Sequence, residues 1–230
     1  MTKIIAIFDI DGTLIDARGA GHRAMRQAFR EVLGEPDALN RADFAGRTDW
    51  PLFWEAAVHT RVPTALIDWA AVQAAYFSQL STELANSPPT VLPGVGELLF
   101  ALAASKHFLL RLGTGNFYRS ACLKLSAVGL WRYFPQGGGF ADDGPDRPAI
   151  LRAARRTAPA ATHAVVIGDT PYDVEAAHAE SLACLAVATG RFSADQLSRS
   201  GADTVLESLS DPNSVMSQLM AMATPCAGPY

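Results

Sequence analysis

Lysine is nearly missing from this chain of 230 residues: Lys3, Lys106 and Lys124 stand against sixteen arginines. None lies between positions 16 and 90, and none follows Lys124. Any step that needs an ammonium group therefore has few candidates. Cysteine is scarce too. Cys122, Cys184 and Cys226 form no CxxC pair or metal-ligand pattern, and the first two sit in apolar segments. That predicts buried thiols in a reducing, cytoplasmic setting. A net charge of −4 and a pI near 5.7 leave no basic footprint for nucleic acid. No apolar run approaches membrane-spanning length. The chain enters a strand pattern at once, so neither a membrane span nor a signal peptide is expected. His22, His59, His107, His163 and His178 are scattered, with no metal-ligand spacing.

What is present is an alternation. Short apolar runs at Ile4 to Phe8, His107 to Leu112, Ala164 to Ile167, Cys184 to Val187 and, weakly, Thr204 to Leu206 are separated by helical patterns. The helical stretches include Val95 to Ala104, Tyr118 to Val128, Pro148 to Thr157 and Val174 to Glu180. This predicts an α/β fold with a Rossmann-like parallel sheet. One region breaks the rhythm. Between Asp16 and Thr90 there is no convincing strand. Ala20 to Leu33, closed by Gly34, carries apolar residues at helical spacing, as do Trp50 to Val58 and Leu66 to Leu80. The expected division is a core of residues 1–15 and 91–220, an all-helical insert at 16–90, and a loose tail at 221–230. Trp50 and Trp54, four apart, read as insert core rather than a ligand cage.

The first strand ends in Asp9-Ile10-Asp11-Gly12-Thr13. Residues i and i+2 of an extended chain point the same way, so both acids face one place. A solvated Asp-rich turn has the same look. Alternatively, a cation such as magnesium, which prefers carboxylate oxygen, relieves the repulsion between the acids. A second cluster, Gly168-Asp169-Thr170-Pro171-Tyr172-Asp173, repeats the grammar of strand, glycine and acid. Here Thr170 and Pro171 signal a helix start, and Asp173 falls in the first turn, where an acid also suits the helix dipole. The second long strand ends in Gly113-Thr114-Gly115-Asn116. Small residues before a helix let backbone N–H groups approach an anion, although Asn116 could simply cap the helix.

Asp9-x-Asp11-Gly12-Thr13 and Gly168-Asp169-Thr170-x-x-Asp173 resemble, in order and distance, the first and fourth motifs of the haloacid dehalogenase-like (HAD) hydrolase superfamily. The likeness runs from about Lys3 to Leu209. The insert resembles the family's helical cap of the first type, and the chain looks most like the phosphoglycolate phosphatase-like branch. Thr114, with the N–H groups of Gly115 and Asn116, resembles the second, phosphate-binding motif. The third motif is where this chain departs. Laid over the common Lys-Pro-x-Pro form, Gly144-Pro145-Asp146-Arg147-Pro148 puts glycine in the lysine's place. Arg147 is the favoured replacement, since guanidinium can grip phosphate bidentately. The competing reading pairs it with Asp143 and Asp146 on the surface. Lys124, mid-helix, reads as solvated, with replacement of the missing lysine as its alternative reading.

The resemblance implies a magnesium-dependent phosphatase acting on a small phosphomonoester, phosphoglycolate-like or a sugar phosphate. Asp9 would be the nucleophile, forming an aspartyl-phosphate, and Asp11 the general acid and base. Mg2+ would bind carboxylates of Asp9 and Asp169 and the main-chain carbonyl of Asp11, with Asp173 holding it through water or orienting the other ligands. Thr114 and Arg147 would hold the phosphoryl oxygens. Arg47, in the stretch Phe44 to Asp49, is the candidate for an anionic part of the substrate; an ordinary surface pair is its alternative. Asp11 argues against a dehalogenase, and the lysine-free insert against a Schiff-base enzyme. A β-phosphoglucomutase-like phosphomutase and a non-catalytic binder of phosphorylated ligands are the alternatives. A monomer and a homodimer are equally compatible with the sequence.

Overall fold

A computed structural model describes residues 3–40, 46–156 and 163–223. In chain order, β1 is Ile4–Phe8, β2 Ile15–Asp16, α1 Ala20–Leu33, α2 Asp49–Val58, α3 Trp69–Asn86, β3 Thr90–Val91, α4 Val95–Ala104, β4 Phe108–Gly113 and α5 Tyr118–Ala127. There follow β5 Gly138–Gly139, α6 Arg147–Arg155, β6 His163–Gly168, α7 Pro171–Ala179, β7 Ala183–Val187, α8 Ala194–Arg199, β8 Thr204–Leu206 and α9 Pro212–Met222. No helix among the described residues is long and apolar enough to cross a membrane.

The strands line up as β5-β4-β1-β6-β7-β8, every pair parallel. Strands buried on both faces read as continuous apolar runs, and β1 is buried at every residue. Its side chains alternate. Ile4, Ala6 and Phe8 join the apolar layer formed with α4, α5 and α9. Ile5 and Ile7 join the opposite layer, with Leu151 of α6, Val174 of α7 and Leu197 of α8. The chain winds from β1 toward one edge, then returns to the other side of β1 to build β6. At such a reversal the crossovers diverge, and a crevice opens beyond the carboxyl ends of the two central strands. Phe8 is in register with Leu112 and Ile167, so the segments after β1, β4 and β6 end at one level.

The helical insert stands above that level. It is entered through β2 and left through β3, which pair antiparallel by two residues each. These are shorter than any periodicity can reveal. Inside it, α1 and α3 pack together, with Met25, Phe29, Phe53, Tyr76 and Leu80 buried between. The third helix starts later and runs further than the pattern Leu66 to Leu80 implies. Thr64–Leu66 is a 3-10 turn. Asp68 then caps the true helix by accepting from Ala71 N at 3.0 Å. The C-terminal end differs as well: α9 continues to Met222, into the stretch expected to be loose. Asp211 accepts from the amides of Asn213 and Ser214 at its start, and Val215 and Leu219 are buried. Residues 224–230, including Cys226, lie outside the described residues. Cys184 is buried, whereas Cys122 is only partly so. Trp50 is insert core, packed on Phe53 and Trp69, but Trp54 is 55% exposed and stacks on Trp69 from outside.

Candidate active site

Three acids converge where the central strands end. Asp9 follows β1, Asp169 follows β6, and Asp173 sits in the first turn of α7. One carboxylate oxygen from each lies within 4.8 Å of the others, and all three residues are buried. The local reasons are plain in the chain. Gly12 turns the backbone with φ +82°, and a side chain there would collide with the Asp169 carboxylate. The turn thus packs directly on the acid. Thr13 Oγ1 donates to Asp169 Oδ1 at 3.1 Å. Thr170 and Asp173 form a capping box, in which Thr170 N and Oγ1 donate to Asp173 Oδ2 at 3.0 and 2.7 Å. Capping and membership in the acid cluster are both true of Asp173.

Burial gives the cluster its chemistry. Desolvation pushes the Asp9 carboxyl up to about 6; Arg147 and a Thr114 hydrogen bond oppose the shift, while Asp173 and Asp11 add to it. Asp169 is held well above the usual carboxylate range, first by burial and then by Asp173 and Asp9. Arg147, at the start of α6, is the counter-charge. Its guanidinium pairs with Asp173 and lies 3.5 Å from Asp9 Oδ2, and its Nε donates to the Gly46 carbonyl at 2.9 Å. Burial disfavours this charge, but Asp173, Asp9 and Asp169 outweigh it and raise the pKa of Arg147. The surface pairing with Asp143 and Asp146 does not occur. Asp143 pairs with Arg156 at 2.8 Å, and Asp146 caps α6 through Ala149 N.

Asp11 faces a different wall. Its Oδ2 accepts from Asn116 Nδ2 at 2.9 Å and from Lys124 Nζ at 2.6 Å. Its carboxylate stands apart from the three-acid cluster. Asn116 Nδ2 also donates to Thr114 Oγ1 at 2.9 Å, and Asn116 Oδ1 accepts from Lys124 at 2.7 Å. Lys124 is therefore not solvated: its side chain is 6% exposed. The amphipathic reading of α5 failed because the helix is covered on this side. Ser120, Ala121 and Lys124, at spacings of three and four, share the buried face. The two small residues leave room for a long one. That spacing, together with the scarcity of lysine, is the signal that could have found it. Both candidate cations reach the site, from opposite sides.

Beyond the acids lies a cavity of about 430 Å³ under the helical insert, bordered by Asp11, His22, Arg47, Asp49, Tyr76 and Lys124. Arg47 reaches it with its guanidinium already paired to Glu55. Phe44 and Ala45 of the same stretch lie outside the described residues. Sequence reasoning gave no role to Asp49, the first residue of α2, or to Thr13. Asp49 is buried, its carboxyl pushed up to about 7 chiefly by desolvation, with Lys124 and the Phe117 N–H pulling it down.

Known proteins resemble this chain in sequence and in fold. The model of the haloacid dehalogenase-like hydrolase family matches residues 6–187. The "Probable phosphatase IndB" of Dickeya dadantii is 30% identical over 226 residues, covering 91% of each chain. A hydrolase from Pseudomonas syringae superposes with a TM-score of 0.69 at 22% identity, over 97% of this chain and all of that one (100%). CbbY from Rhodobacter sphaeroides, solved with phosphate, gives a TM-score of 0.69 at 22% identity, over 92% and 96% of the two chains. At that identity the two structures speak to the fold alone.

Proposed function

Because the chain belongs to the haloacid dehalogenase-like hydrolase family, we propose that it is a magnesium-dependent phosphatase that hydrolyses a small phosphomonoester through an aspartyl-phosphate on Asp9. One observation carries the reading: Asp9, Asp169 and Asp173 converge, buried, beside an Asp11 that is held separately. Binding alone would not need both a nucleophile and an acid two residues on.

The donor set fits magnesium. Three carboxylates share one small space, and among the described residues Arg147 is the cation paired with them. Hard oxygen ligands of this kind suit Mg2+. Asp9 and Asp169 would hold the ion, with the Asp11 carbonyl, and Asp173 would support them. When bound it supplies positive charge that lets an anionic nucleophile meet an anionic ester.

The chain's own residues do the rest. Asp9 attacks phosphorus, and the bond from phosphorus to the ester oxygen breaks. Asp11 gives its proton to that oxygen, so the alcohol leaves neutral. Asp11, now ionised, takes a proton from water as the water attacks phosphorus and releases Asp9 and phosphate. Thr114, the N–H groups of Gly115 and Asn116, and the two cations hold the phosphoryl oxygens. Phosphoryl transfer demands mainly this positioning and charge balance. Lys124 and Arg147 together stand in for the absent third-motif lysine. The cavity, with Arg47 at its border, takes the leaving group, and a small polar alcohol such as glycolate or a sugar suits its size. The similarity to a probable phosphatase supports the same reaction class.

The test is phosphate release with and without Mg2+ across a panel of phosphomonoesters. Release from at least one ester should need the ion and fall about a thousandfold or more in Asp9→Asn. Turnover that survives in Asp9→Asn would remove the aspartyl-phosphate route.

A further inference from the structure

Phe117 ends the loop that carries Thr114 and Asn116, yet its ring does not pack with the sheet. It is fully buried among the rings of the helical insert, 5.2 Å from Trp50, 5.4 Å from Phe53 and 5.9 Å from Phe77 between centroids. Beside it, Asp49 makes two hydrogen bonds to the same loop. Its N–H donates to the Gly115 carbonyl at 2.7 Å, and its Oδ2 accepts from Phe117 N at 2.9 Å. The contact is tight: a Cβ on Gly115 would lie 2.7 Å from the Arg47 carbonyl oxygen. Asp49 is not serving its own helix. The residue before α2 is Thr48, which makes no side-chain cap, and the Asp49 carboxylate reaches across to another element. Between the two gripped residues stands Asn116, whose amide joins Thr114, Asp11 and Lys124.

We propose that Asp49 is a positioning residue: it clasps Gly115 and Phe117 from the insert and so holds Asn116, and through Asn116 holds Asp11 and Lys124, in the arrangement that proton transfer needs. The clasp makes docking of the insert a condition for orienting the general acid. A displacement of about 1 Å at such a group can cost on the order of a hundredfold in rate. Loss of the clasp acts on turnover more than on ground-state binding, because Asp49 meets the loop at the Gly115 carbonyl and the Phe117 N–H rather than at the groups assigned to the phosphoryl oxygens, and it is not one of the three clustered acids.

Two measurements test this, and only the kinetic one rests on the phosphatase reading. In kinetics, Asp49→Ala lowers kcat roughly 10- to 100-fold with little change in KM. Asp49→Asn, which keeps an acceptor oxygen in place, recovers most of that loss. Combined with Asn116→Ala, the Asp49→Ala change adds little further, because both act along one path. Fully additive losses, or an Asn variant as poor as the Ala variant, would overturn the proposal. The second measurement is amide hydrogen exchange at Phe117, read on folded protein without any substrate. Exchange should quicken in Asp49→Ala and return toward the parent rate in Asp49→Asn. Unchanged exchange in a folded Asp49→Ala protein would also overturn it. If the parent hydrolyses no ester, the phosphatase reading fails on its own and the exchange experiment still decides the clasp.

Discussion

The two walls of the site are built on opposite plans. On one, Asp9, Asp169 and Asp173 crowd together with Arg147 as counter-charge, so the wall is short of positive charge. On the other, Asp11 meets Lys124 and the Asn116 amide, one acid against one base and a neutral spacer. The first wall is organised around charge and would be completed by the proposed cation. The second is balanced already and fixes where one carboxyl points. Side chains of the same type, two residues apart in the chain, thus take different work from their surroundings.

Removing Arg147 should expose the difference most strongly. Arg147→Ala strips the acid wall of its buried counter-ion, and breaking such a pair costs about 3–5 kcal/mol. The loss should show in metal-free unfolding and shrink when Mg2+ is added, since an ion bound only to the folded state restores stability. A loss that Mg2+ leaves untouched would deny the ion that site. Lys124→Ala addresses the other wall. It should lower kcat by about 100- to 1000-fold, with a smaller effect on metal-dependent stability than Arg147→Ala. A Lys124→Ala enzyme within threefold or so of the parent would return the lysine to a structural role.

The smallest effect is the pH dependence of stability without metal. Asp9, at about 6, and Asp49, at about 7, lie above their unfolded value of 3.8, and Asp169 is shifted the same way. The folded protein therefore binds more protons between these limits, and stability falls as pH rises from about 4 through 7. Asp203, whose carboxyl is lowered by the Cys184 N–H and His178 against the effect of burial, contributes fully above its unfolded value and so does not change across that span. His22, lowered by burial, works in the opposite sense near its ordinary value of 6.5 but is one group against three. Melting in a chelator should thus move down by a few degrees between pH 5 and 8, and excess Mg2+ should flatten the trend. A melting temperature that climbs over this range in chelator would contradict the burial argument for the acid wall.

The centre of the sheet was legible because its strands are buried on both faces: β1 matches the apolar pattern residue for residue, as do helix α4 and the half-buried edge strand β8. β5 was not, since Gly138–Gly139 offers nothing to alternate, and β2 and β3 are two residues long. Helices α8 and α9 announce themselves only by their caps, Ser193 with Gln196 and Asp211 before Pro212. Within the site, the acids sit at strand ends and in a helix's first turn, where spacing alone predicts direction. Lys124 and Asp49 escaped because their surroundings come from other elements. A helix face shows which residues are neighbours, but not that a second lobe will cover it.

Phe117 carries one more consequence. The apolar centre of the insert is closed by a ring that the sheet-bearing lobe delivers. Cut out at β2 and β3, the insert would keep a hole where that ring belongs, and the remainder would be left with an aromatic side chain in water. Though only two thin strands connect the lobes, neither has a complete interior alone. They should therefore melt as one cooperative unit, and transplanting the insert onto a relative's core would carry the Phe117 position with it.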